Sequence, residues 1–175
     1  MEKLLILLKT PELRKKILVV ASLLLVFRVF SAIPIPGVDA SRLSAFLSSN
    51  QLLGFFNIFS GGALSTLSIV MLGVGPYITA TIIMQLLTMI FPHLKEIYYE
   101  QGEAGRAKFN RLSHYLTVPL AGLQGYGFLN LLISQKVLLP LSPFDTMRNI
   151  LLITAGSLFL VWLGELITEQ KIGNG

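Results

Sequence analysis

The residues from Ala63 to Phe91 set the tightest limit on what this chain can fold into. They read ALSTLSIVMLGVGPYITATIIMQLLTMIF, with Gly61-Gly62 in front and Gly73-Val74-Gly75-Pro76 inside. A straight helix of this length rises about 43 Å at 1.5 Å per residue. The hydrocarbon core of a bilayer is only about 30 Å thick. The Gly-x-Gly-Pro break resolves the mismatch. It predicts a short helix over Ala63–Leu72 and a second helix from Pro76, where the missing proline N–H costs nothing. Non-helical backbone at membrane depth is tolerated only against protein or a water-filled cavity. Broken helices therefore point to a conduction or binding site near the midplane. On this reading Ala63–Leu72 closes a pore, and the helix after Pro76 lines it.

Composition agrees with a membrane protein. Over 175 residues, 53% are hydrophobic and 13% charged; mean hydropathy is +0.71. Such a balance with long apolar runs is the transmembrane signature. The absence of cysteine excludes disulfides and thiolate metal sites. His93 and His114 lack metal-ligand spacing. A net charge of +5 fits a basic cytoplasmic face better than a nucleic-acid surface.

Read in order, Met1–Thr10 fits a short amphipathic helix in the interface, and 1–16 forms a basic cytoplasmic segment. The first span is 17–33. A basic stretch before an apolar run also describes a signal peptide, but Ser31-Ala32-Ile33 is a poor cleavage site and more spans follow. Proline stops the span at Pro34. Residues 34–60 read as an external loop with room for one short helix; within it, apolar Gln51–Ser60 packs back into the membrane. The broken segment divides into 61–72 and 74–91. Residues 92–111 read as a charged cytoplasmic loop, 112–132 as the third span, 133–148 as an external loop, 149–166 as the fourth span and 167–175 as a cytoplasmic tail. The fold class is thus an all-α integral membrane protein with four transmembrane helices, the second one broken.

Lysine and arginine counts orient it. With the N-terminus inside, the cytoplasmic side holds Lys3, Lys9, Arg14, Lys15, Lys16, Lys95, Arg106, Lys108, Arg111 and Lys171. The outer side holds Arg42, Lys136 and Arg148. The broken segment then enters from outside and leaves inside, and both termini are cytoplasmic.

Several motifs, in order, cover nearly the whole chain: Pro11-Glu-Leu-Arg14, Val26-Phe-Arg-Val-Phe-Ser-Ala-Ile-Pro-Ile-Pro-Gly37, Phe59-Ser-Gly-Gly-Ala-Leu-Ser65, Pro76-Tyr-Ile-Thr-Ala-Thr-Ile-Ile-Met-Gln-Leu-Leu87, Gly102-Glu-Ala-Gly-Arg106 and Gly164-Glu-Leu-Ile-Thr168 with Gly173-Asn-Gly175. In these the chain resembles the SecY family of protein-conducting channels, in its bacterial form. That family has ten spans in two inverted halves with the pore between them. The chain resembles spans one to four and looks like an N-terminal fragment. The resemblance implies the central subunit of a channel in the bacterial cytoplasmic membrane. It would move unfolded preproteins across and release membrane proteins sideways into lipid. Implied partners are SecE-like and SecG-like small membrane subunits, the SecA ATPase, the ribosome, the preprotein substrate and the C-terminal half of the channel.

The resemblance also assigns sites. Gly61, Gly62, Ala63, Leu64, Ser65, Thr66, Leu67 and Ser68, within Gly61–Leu72, correspond to the plug that blocks the external funnel; an ordinary re-entrant turn is the plainer alternative. Small polar groups suit a wet funnel, while Leu64, Leu67 and Ile69 can seal it. Val74 and Ile78 match the pore ring. Spaced four apart, they share one helix face, and an uncharged aliphatic collar opposes ion passage by dewetting. Without the motif they would read as ordinary lipid-facing or core residues. Gln85 and Gln124 fall at the lateral gate, where hydrogen bonds across a helix interface contribute about 0.6–2 kcal/mol; a structural bond within this half is the alternative. Ala121 and Gly125 read as packing. Arg28 is an intramembrane charge, a functional hypothesis by default, though snorkelling to the outer interface explains it as well. The basic residues of 95–111 fit either a docking surface or a topology signal.

No catalytic constellation is visible, and Gly73-Val-Gly75-Pro76 lacks the Lys-Ser/Thr of a phosphate loop. Neither enzyme activity nor a cofactor is expected. A small-solute secondary transporter also carries broken helices, but predicts a charged or polar group at the break, where this chain has Val74 and Ile78. A non-conducting assembly subunit predicts no role for the plug.

Overall fold

A computed structural model describes residues 11–37, 40–49, 55, 57–58 and 62–171. The expectations placed on Met1–Thr10, on Gly61, on most of Gln51–Ser60 and on 172–175 lie outside these residues. Among those described, the chain is all-helical: α1 Pro11–Ser31, α2 Ala40–Ser49, α3 Gly75–Ile90, α4 Pro92–Tyr99, α5 Gly102–Ser134 and α6 Pro143–Glu169. Two of them, α5 and α6, are long and apolar enough to cross a membrane. The pair α3 and α4, bent by 114°, makes a third candidate. The 21 residues of α1 reach about 32 Å, but Glu12, Arg14, Lys15, Lys16 and Arg28 lie among them.

Residues 92–111 are not a loop. Pro92 has no N–H to give α3, so the ladder ends with Phe91 N donating to Leu87 O at 2.8 Å. Proline also pushes the residue before it out of the helical region, and Phe91 is extended at φ −105°, ψ 109°. Helix resumes at once with Pro92 in its first turn, where proline is well suited. Gly102 then turns the chain again at φ +60°, a conformation other residues adopt only with strain. Charged residues alone do not make a loop: here they cover the exposed face of α4 and the first turns of α5. A Cβ on Gly105 would lie 1.9 Å from Ile97 O, so α4 and α5 meet there backbone to side. Tyr98 and Phe109 pack beside them, centroids 4.6 Å apart.

Along α5 the buried positions recur every four residues: Gly105, Phe109, Ser113, Thr117, Ala121, Gly125 and Leu129. Small side chains in such a row let helices approach closely. The two hydroxyls satisfy themselves locally, Ser113 Oγ donating to Phe109 O at 3.1 Å and Thr117 Oγ1 to Ser113 O at 2.7 Å. A Cβ on Gly125 would stand 3.5 Å from Ile153 Cγ2 of α6. Ala121 and Gly125 thus do the packing expected of them.

Helix α6 begins six residues before the apolar run because it is capped. Ser142 Oγ accepts from Asp145 N at 3.1 Å and donates to Asp145 Oδ2 at 2.7 Å; Pro143 sits in the first turn. We expect Ser142→Ala to lower stability by about 0.5–2 kcal/mol, read as a lower melting temperature of the chain in detergent. The α1 helix leans on α6 through stacked Phe30 and Phe159, 4.4 Å apart.

Candidate functional site: the broken segment and its surroundings

The break lies where expected, but what precedes it is not a regular helix. Residues 62–74 form consecutive turns. Ser65 N donates to Gly62 O, Leu67 N to Leu64 O, Met71 N to Ser68 O and Gly73 N to Val70 O, at 2.9–3.1 Å. The helix expected over Ala63–Leu72 is prevented by bonds that leave the segment. Leu67 adopts φ +43°, and its carbonyl accepts from Ile35 N at 2.9 Å, while Ile69 N donates to Ile33 O at 3.1 Å. Pro34 and Ser68 are thereby paired as an antiparallel bridge. The hydroxyls add to this, as short polar side chains do when they compete with a helix ladder. Thr66 Oγ1 donates to Ser31 O at 2.8 Å, Ser65 Oγ to Gly62 O at 2.6 Å, and Ser68 Oγ accepts from Val70 N at 3.1 Å. Ser65 N donates to Asn57 Oδ1 at 2.8 Å.

The segment is also seated by its apolar side. Leu64, Leu67 and Met71 join Ile35, Leu43, Leu129 and Ile153 in one buried cluster; Ala63 and Val70 join Leu160 in another. Ser65 and Thr66 stay exposed, Ser68 is buried and Ile69 is half-buried. The closest approach is at Gly156 of α6, where a Cβ would lie 2.2 Å from Ile69 O.

After Gly73 the chain enters α3. One face of α3, with Pro76, Ala80, Met84 and Thr88, is buried. The other carries Val74, Ile78, Ile82 and Leu86, with Val74 41% and Ile78 51% exposed. The two rows are offset by two residues, about 200° round the helix. Val74 and Ile78 therefore share one face, and that face is an aliphatic stripe that the described residues leave exposed.

Gln85 and Gln124 are not brought together. Gln124 Nε2 donates to Thr79 Oγ1 at 3.4 Å, joining α5 to α3 within this chain. Gln85 is exposed, six residues further and about 120° round α3 from Thr79. We expect Gln124→Leu to weaken the α3–α5 contact by only about 0.6 kcal/mol, as a long intramembrane hydrogen bond does, measurable as a small loss of thermal stability. Arg28 lies beside the turn segment: its Nη1 is 3.8 Å from where a Cβ of Gly62 would be. Its carbonyl accepts from Ser31 Oγ at 2.8 Å, at the end of α1.

One cluster escaped the sequence reading. His114 Nε2 of α5 lies 3.1 Å from Glu165 Oε1 of α6, at ion-pair distance but not aligned as a hydrogen bond. The His114 ring meets Tyr77 of α3 edge-on, centroids 5.1 Å apart. No spacing joins Tyr77, His114 and Glu165. The available signal was that His114 and Glu165 are ionisable groups within otherwise apolar helices.

A broken apolar segment, embedded among long apolar helices and followed by an unpaired aliphatic stripe, defines a multi-pass α-helical membrane protein built around that break. The family model described as SecY matches residues 68–175. Relatives described as "Protein translocase subunit SecY" come from Streptomyces griseus, at 43% identity over 95% of this chain and 41% of the relative, and from Buchnera aphidicola subsp. Schizaphis graminum, at 46% over 95% and 39%. Another, from Synechocystis sp., is 42% identical over 93% of this chain and 37% of the relative. The chain belongs to the SecY family. It spans about 40% of the length of these curated relatives.

Proposed function

We propose that the chain forms the N-terminal half of the protein-conducting channel of a bacterial cytoplasmic membrane. The observation that carries this reading is the stripe of Val74, Ile78, Ile82 and Leu86, which begins at the break and is left open by a helix whose other face is fully packed. Val74 and Ile78 supply part of an aliphatic collar, and the complementary half supplies the rest. Residues 62–72 are the stopper: Ser65 and Thr66 are exposed, and buried Ala63, Leu64, Leu67, Val70 and Met71, with the bonds to Ile33 and Ile35, seat it against the body. Helix α1 is the first of four spans, with both termini cytoplasmic, and α4 with the start of α5 lies on that side. Gln85 and Gln124 border the lateral exit, Gln124 as a tie within this half. Arg28 steadies the stopper from α1. The substrate is unfolded preprotein, and the partners are small membrane subunits, a motor ATPase and the ribosome. A solute-transporter half is disfavoured by the apolar break.

Co-expression of this chain with the complementary C-terminal half, in cells depleted of their own channel, tests the proposal. The expected result is restored secretion that requires both halves. A stable, inserted pair that restores none would overturn it.

A further inference from the structure

We propose that Tyr77, His114 and Glu165 form a clamp that fixes the rotation of α3 and so aims Val74 and Ile78, making all three positioning residues for the collar. The inference rests on the channel reading above.

The start of α3 has little local means of fixing its own azimuth. Its N-cap, Val74, offers no side-chain cap. What precedes it is a turn containing Gly73 at φ +59°, so no continuous helix ladder carries orientation into it. Packing of buried Pro76 and Ala80 sets the coarse orientation of α3, and a contact on the flank of its first turn sets it finely. Tyr77 is in that turn, directly before Ile78 in sequence and about 100° from it on the helix surface. Its ring is held edge-on by His114, an arrangement that favours aromatic pairs. His114 in turn reaches Glu165. The contacts thus tie three helices at one point: α3 through Tyr77, α5 through His114 and α6 through Glu165. A hydrogen bond also joins α3 to α5, the long one from Gln124 to Thr79, two residues beyond Tyr77.

Among the described residues, His114 meets Tyr77 from α3 and Glu165 from α6; α4 meets α5 at Gly105 and Phe109, more than a turn away. Losing the ring of Tyr77, the imidazole of His114 or the carboxylate of Glu165 therefore opens this chain of contacts at one link.

The test uses the paired channel, both halves, in vesicles of phosphatidylethanolamine and phosphatidylglycerol, with passive ion leak measured. His114→Leu and Glu165→Gln should each leak about threefold more than the native pair, the change in closed-to-open ratio that one average intramembrane polar contact provides. Tyr77→Phe, which keeps the ring, should behave as native, and Tyr77→Ala should leak. An assembled His114→Leu pair with native leak, or a Tyr77→Phe pair that leaks as much as Tyr77→Ala, overturns the clamp. Serine at Val74 and Ile78 separates the two ideas. If that pair leaks while His114→Leu does not, only the clamp fails. If neither leaks, the collar reading fails with it.

Discussion

A channel carrying serine at both Val74 and Ile78 should leak ions at rest while still assembling and inserting. Both side chains are about half exposed in this chain, and both lie on the face of α3 opposite its packed row. Replacing them therefore removes little packing here. Serine ranks close to valine and isoleucine in helix propensity, and Val74 is the N-cap, a position where serine is favoured, so the expected folding cost is small. The effect on conduction should be far larger. An aliphatic constriction excludes ions because water leaves it, and hydroxyls let water return. Each fall of about 1.4 kcal/mol in that barrier raises the flux tenfold. We expect a rise of at least that size in potassium flux from vesicles holding the paired channel. Leu123→Ser is the control: Leu123 is exposed on α5 and is not part of the stripe, and it should leave flux unchanged.

Gly156→Ala should unseat the turn segment. The new Cβ would lie 2.2 Å from Ile69 O, 2.8 Å from Ile69 C and 3.3 Å from Val70 Cγ1. The first two are backbone atoms, so no rotamer change relieves the clash. Either α6 or residues 67–70 must move. Overpacking of this kind costs about 1–3 kcal/mol. The bond from Ile69 N to Ile33 O and the burial of Val70 are the contacts nearest the strain. The predicted outcome is a lower melting temperature together with raised resting leak, since the seat of the stopper is displaced. Unchanged stability and leak would mean that 67–70 is not held against α6 as described.

How much of this was legible in the sequence depended on how local the cause was. The break at Gly73–Pro76 could be read because glycine and proline act on their own backbone. The long helices α5 and α6 could be read because apolar runs of that length have few other uses. The helical state of 92–111 was hidden by its charges: polarity marks exposure, and a solvated helix is as polar as a loop. The turns at 62–74 were hidden for another reason. Ala63–Leu72 has helical composition, but its backbone is diverted by Ile33 and Ile35, some thirty residues earlier, and by Gly156 far downstream. The cluster of Tyr77, His114 and Glu165 is likewise assembled only by the helix packing. Gln124 showed that a polar residue in a span is tied to something; that its partner is Thr79, and not a group beyond this chain, came from the structure.

Site-specific crosslinking in the paired channel during arrested translocation tests the collar itself. A photoreactive residue at Ile78 lies on the open stripe, and one at Leu123 is also exposed but lies on α5. Ile78 should capture the arrested preprotein, and Leu123 should not. Capture at Leu123 but not at Ile78, in a pair that supports secretion, would rule out the collar.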